Sequence, residues 1–163
     1  MNLLNLGTNW FVAAIVMVAW PLPVMANIGD DLGQLRGRYG SAKAVGGQMI
    51  FEVRLKDGKI EPARGSADPD THFSVTVYFD GDHSAMEVFT RNTSDPEKAN
   101  LSQDDISTIL ASENDGQDWI PVVLRNGKTA WVRSDKKLVA RFDPSQDGDA
   151  DSASVLVVML NSK

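Results

Sequence analysis

The sequence predicts an α+β fold: two short helices packed on one antiparallel sheet of about six to seven strands built from hairpins. Three observations carry this. Apolar residues alternate with period two in several runs, as in half-buried strands. Only two stretches repeat their apolar residues at spacings of three and four. The strand runs are joined by tight turns such as Asp80-Gly81 and Asn126-Gly127, which connect antiparallel neighbours rather than parallel ones.

The first helix lies in "NIGDDLGQLRGRYG". Asp30 or Asp31 caps it, Gly40 stops it, and Leu32, Leu35 and Tyr39 share one side. Gly33 and Gly37 each cost about 1 kcal/mol relative to Ala, so this helix needs a sheet to lie on. In "QMIFEVRLKDG", Met49, Phe51, Val53 and Leu55 form one face of a strand. Lys59 to Thr71 holds Pro62, Gly65 and Pro69; it opens with a short strand and continues as a surface loop. Phe73, Val75, Val77 and Phe79 then form the face of a hairpin strand, and a turn at Asp80-Gly81 places Met86 and Val88 on that same face.

The second helix starts at "NLSQDDI". Ser102 caps it, Asp104 and Asp105 complement its positive end, and Leu101 staples onto Ile106. Ile106, Ile109 and Leu110 are its apolar face. A two-residue turn at Asn126-Gly127 puts Ile120, Val122 and Leu124 on one face with Trp131. "LVARF" and "SVLVVML" complete the sheet. The last run is apolar on both sides, as expected of a strand covered on both faces. The order is helix, about three strands, helix, about four strands, and the halves are loosely alike.

Residues 1–26 contain no charged side chain. An apolar core from Trp10 to Trp20 is broken by Pro21 and Pro23, and Val24-Met25-Ala26 follows. This is the layout of a cleavable secretory signal, although Lys and Arg are missing ahead of the core. A membrane span needs about 20 apolar residues, so no stable span is expected after cleavage. The expected division is a signal at 1–26 and a single α+β domain at 27–163, exported to the periplasm or the extracellular space. All 22 acidic and 16 basic residues lie in the second part, which therefore carries the net charge of −6. An acidic surface of this kind argues against nucleic acid as a partner. The chain has no Cys, which excludes thiol catalysis and Cys-ligated metal.

"LRGRYG", "FSVTVYFDG", a helix opening "LSQDDI", a Trp and "KLVARF" together resemble small exported bacterial α+β proteins of unknown function. Their helix-on-sheet layout is similar to the outer-membrane assembly lipoproteins of the SmpA/BamE type and to the β-lactamase inhibitor protein. The resemblance covers most of 27–163 and implies a fold, not a residue's role. The lipobox Cys of the assembly lipoproteins has no counterpart here.

Four features bear on chemistry. In "FDPSQDGDADSAS", Asp147, Asp149 and Asp151 fit the first three ligand positions of a calcium loop, beside Asp143. The glycine position is Ser152, and the closing bidentate ligand is Val158, inside a strand run. An acidic hairpin tip with no cofactor is the expected reading, and a weak Ca²⁺ site at Asp147, Asp149 and Asp151 is its alternative. His72 and His83 flank one hairpin about three to four residue pairs apart, roughly 10–13 Å, too far for one ion. Glu52 and Glu87, both pointing outward, are the glycosidase-style carboxylate pair if a cleft exists. Trp119, at a helix-to-strand junction, is the candidate partner-binding anchor.

With no catalytic motif in view, the expected function is an exported non-enzymatic binding or envelope-associated structural module of unknown partner, a protein or an envelope component. The alternatives are a weak divalent-cation-responsive binding protein using the 143–151 acidic loop and an unrecognised carboxylate-dependent hydrolase.

Overall fold

A computed structural model describes residues 28–63, 72–93, 95, 98–144 and 153–161. In chain order the elements are α1 (Leu32–Tyr39), β1 (Ala42–Val45), β2 (Gln48–Lys56), β3 (Lys59–Pro62), β4 (His72–Asp80), β5 (His83–Arg91), α2 (Gln103–Ser112), β6 (Trp119–Val123), β7 (Thr129–Arg133), β8 (Leu138–Asp143) and β9 (Val155–Leu160). The nine strands form one antiparallel sheet in the order β1-β2-β4-β5-β9-β8-β7-β6, with β3 also paired to β2. The α+β class holds, and the sheet is larger than expected. The strands beyond that number are the short β3 and β1: "AKAV" is mostly exposed and shows no apolar alternation, and it is a strand because the turn at Gly46-Gly47 folds it onto β2.

Both helices begin with capping boxes, at Asp31 with Gln34 and at Ser102 with Asp105. Each box satisfies two backbone N–H groups that a helix start leaves open. Leu35 and Tyr39 of α1 and Ile106, Ile109 and Leu110 of α2 enter one core with Phe51, Val53, Phe73, Val75, Val77, Phe89, Leu156 and Val158. Both helices therefore cover the same face of the sheet. α2 touches β3 at one margin of the sheet, and from the other margin Trp119 of β6 donates its Nε1–H to the Leu110 carbonyl at 2.7 Å. The sheet thus curls around the helices, which fill its concave side.

Two one-residue shifts decide which side chains face that core. In the first hairpin the turn is Gly81-Asp82, with Asp80 opposite His83 and Phe79 opposite Ser84. The next pair is Tyr78 with Met86, so Ala85 is an extra residue, a β-bulge. Beyond it Glu87 faces Val77 and Val88 faces Thr76. The expected placement of Met86 and Val88 with Val75 and Val77 is therefore reversed. They stand on the outer face, and Glu87 stands in the core.

The second shift lies at Asn126-Gly127. Leu124 N–H bonds the Lys128 carbonyl, and Gly127 takes a φ of 79°. The connection is a three-residue loop whose last residue is left-handed, not a two-residue turn. Pro121 then faces Trp131, and Val122 faces Ala130. Trp119 and Trp131 pack against the core, and Ile120 and Val122 move outward. Because side chains alternate along a strand, each single-residue shift exchanges whole faces.

The topology joins two units, each a helix followed by a meander, through their last strands β5 and β9. Among the described residues no helix is long and apolar enough to cross a membrane.

Deleting Ala85 leaves Ser84 opposite Phe79 and Glu87 opposite Val77. That variant is expected to fold, losing no more than about 1–2 kcal/mol. Inserting an alanine between Val88 and Phe89 sends Phe89 to the outer face and should abolish cooperative unfolding. Urea denaturation followed by near-ultraviolet circular dichroism checks both.

Candidate functional site

A cluster of hydrogen-bonded polar side chains lies inside the core. The bulge brings Glu87 of β5 to the concave face, where it is fully buried. The last turn of α1 supplies Arg38 and Tyr39, and the residue that ends α2 is Glu113, also fully buried. Tyr39 O–H lies 2.7 Å from Glu87 Oε2 and 3.3 Å from Glu113 Oε1. Arg38 Nη2 donates to Glu113 Oε1 at 2.6 Å and reaches the Ser112 carbonyl at 3.4 Å. The Arg38 guanidinium also lies 4.5 Å from the centre of the Tyr39 ring. Arg133 of β7 holds Asp135 through two nitrogens, at 3.1 and 2.8 Å, and donates to the Glu113 carbonyl at 3.2 Å.

The energetics follow from burial. Desolvation, then the neighbouring Glu113 charge, pushes the Glu87 carboxyl up to about 8, against the pull of Arg38 and the Tyr39 hydrogen bond. Burial also raises Glu113, opposed by Arg38, which sits in direct contact with it. Tyr39 is driven well above its ordinary value by burial and by the two carboxyls, so it stays a donor. For Arg38, burial opposes the charge, but Glu113, Tyr39 and Glu87 outweigh it and its pKa is raised. Glu87 Oε1, Glu113 Oε2 and Arg38 Nη1 are buried without a hydrogen bond.

The carboxylate pair suggested by the sequence, Glu52 and Glu87, is divided between the two faces of the sheet. Glu52 is exposed on the outer face, where Ser74 and Asn92 donate to it. Glu87 instead meets Glu113, an acid that only the fold brings near. Glycosidic chemistry needs a carboxyl pair open to water and sugar, and this pair is sealed. A notch of about 450 Å³, lined by Arg36, Tyr39, Ser41, Glu52, Pro62 and Ala63, opens where β1 and β3 divide the edge of β2. Gly40, with a φ of 86°, borders it because a Cβ there would come within 3.0 Å of Pro62.

Asp147, Asp149 and Asp151 lie outside the described residues. Their neighbour Asp143 is engaged by Lys128 at 2.7 Å and by Arg141 at 3.0 Å. No group of three or more potential metal ligands occurs among the described residues. His72 faces Arg54 at the start of β4, and His83 faces Asp80 at its end. The two histidines are thus separated by about eight residues of strand, roughly 26 Å, twice the expected distance. Trp119 is half-buried with its indole N–H engaged, so it closes the junction between α2 and the sheet.

The outer face carries an apolar band that the sequence pattern assigned elsewhere. One row crosses the sheet through Ile120, Val132, Val139, Met159, Met86 and Tyr78. Val122, Ala130, Arg141, Val157 and Val88 form the next. Both described helices lie on the opposite face. Comparison with family models, with curated proteins and with solved structures returned no match.

Replacing Arg38 by Met leaves Glu113 buried without its cation and is expected to cost about 3–5 kcal/mol. Exchanging both partners, Arg38→Met with Glu113→Leu, should recover most of that loss. A double-mutant cycle by urea denaturation measures the difference.

Proposed function

We propose that this chain is an exported, non-catalytic binding module whose docking surface is the convex outer face of the sheet. One observation carries the reading: the apolar band from Ile120 to Tyr78 stands on the face opposite both helices. A large contiguous apolar patch on a folded chain is characteristic of an interaction site. Its convexity suits a protein partner with a concave apolar surface. Arg141 in the band and Lys128 beside it are both paired with Asp143 within the chain, so docking over them does not bury an unpaired cation, which would be costly. The sealing of Glu87 and Glu113 supports a role without catalysis, since neither carboxyl meets solvent.

A photo-cross-linking residue placed at Val157, on this face, should yield a discrete adduct in intact cells that export the protein. The same residue at exposed Gln103 on α2 should not. Equal labelling at the two positions, or none at Val157, would count against the reading.

A further inference from the structure

We infer that Arg38, Tyr39, Glu87 and Glu113 form a proton-governed latch: one proton held on Glu87 keeps both helices docked on the sheet, and its loss loosens them.

The pocket places two buried carboxyls against one guanidinium. Glu113 contacts that guanidinium at 2.6 Å, whereas among the described residues Glu87 accepts its side-chain hydrogen bond from the Tyr39 hydroxyl. A buried carboxylate without a cation is far costlier than a buried carboxylic acid. The proton therefore belongs to Glu87, and the ionised acid is Glu113.

Among the described residues, Arg38 is the cation that acts most strongly on Glu87. α1 presents Arg38 and Tyr39, the end of α2 presents Glu113, and the lead-in to α1 presents Asp30, whose charge further disfavours ionisation. Arg133 of β7 donates to the Glu113 carbonyl and is held by Asp135. The cross-strand neighbours of Glu87, Val77 on β4 and Val158 on β9, are apolar.

The four side chains come from three elements, α1, β5 and α2. Arg38 and Tyr39 link the last turn of α1 to Glu113, the residue that ends α2. Removing the proton sets two negative charges against one positive charge at the junction on which both helices meet the sheet. The helices are held at this junction by side chains, whereas the strands are also held by their backbone ladders, so the helices respond first.

A carboxyl whose folded pKa exceeds its unfolded value binds the proton more tightly when folded. Its contribution is complete below about pH 4.5 and is lost as pH rises through about 8. The unfolding equilibrium constant should rise by up to about tenfold per pH unit across that window, one proton's worth. Hydrogen exchange on the intact protein should accelerate in α1 and α2 before the sheet.

Glu87→Gln keeps an acceptor for Tyr39 and cannot ionise. It should flatten the pH dependence and hold the helices protected at pH 9. Glu113→Gln provides a second route should the first variant fail to fold, because Glu87 is then left to ionise beside Arg38 and the slope should weaken. A wild-type slope retained in Glu87→Gln, or exchange that quickens equally in helices and sheet, overturns the latch.

Discussion

A strand has only two faces, and one residue's offset exchanges them. Ala85 and the loop at 125–127 each introduce such an offset, and most of what distinguishes this molecule depends on them. Were Ala85 paired with Tyr78 instead of bulged out, Met86 and Val88 would join the core and Glu87 would meet water. With the bulge, an acid enters the core and two apolar side chains leave it. The loop does the same at the far end of the sheet, drawing Trp119 and Trp131 inward and turning Ile120 and Val122 out. Bulges of this kind re-aim side chains by design of the backbone rather than by side-chain preference.

The buried acid then imposes a requirement on everything near it. A carboxyl in a low-dielectric interior must be neutralised, hydrogen-bonded or both. Tyr39 supplies the hydrogen bond and is itself placed by the capping box that starts α1 and by Gly40, which ends it. Arg38, one residue earlier, turns to Glu113 and fixes the end of α2. The opposite end of α2 is tied to the sheet by the ion pair between Asp105 and Arg91, whose guanidinium lies over the Phe73 ring. Short helices of eight and ten residues are marginal alone, and here polar contacts determine where they sit.

The parts of the fold legible in the sequence are those governed by local chemistry. Asp31, Gly40 and Ser102 mark helix ends because capping depends on side chains a few residues away. Phe51, Val53, Phe73, Val75 and Val77 were readable as core from alternation alone. What was not legible is the relation between strands. "DGDHSA" and "RNGK" are compatible with turns that differ by one residue, and apolar residues stand on both sides of each count. Glu87 looks like an outward acid in "AMEVF" because the alternation assigns Met86 and Val88 inward. Its meeting with Glu113 is set by the packing of α2, which no spacing within the sequence encodes. One signal was present: an acid flanked by apolar residues in the middle of a hairpin strand, with a bulge-permissive alanine beside Met86.

The position of β9 has a consequence for how such a chain comes together. It follows the other eight strands in chain order, yet it sits at the middle of the sheet, between β5 and β8. Until residues 155–160 are available, the two meanders have no common seam, and Leu156 and Val158 are missing from the core. Closure joins segments more than sixty positions apart, a slow step because the intervening chain must first be confined. A chain without residues 155–160 lacks the strand that joins the two meanders, so assembly of the sheet waits for that segment.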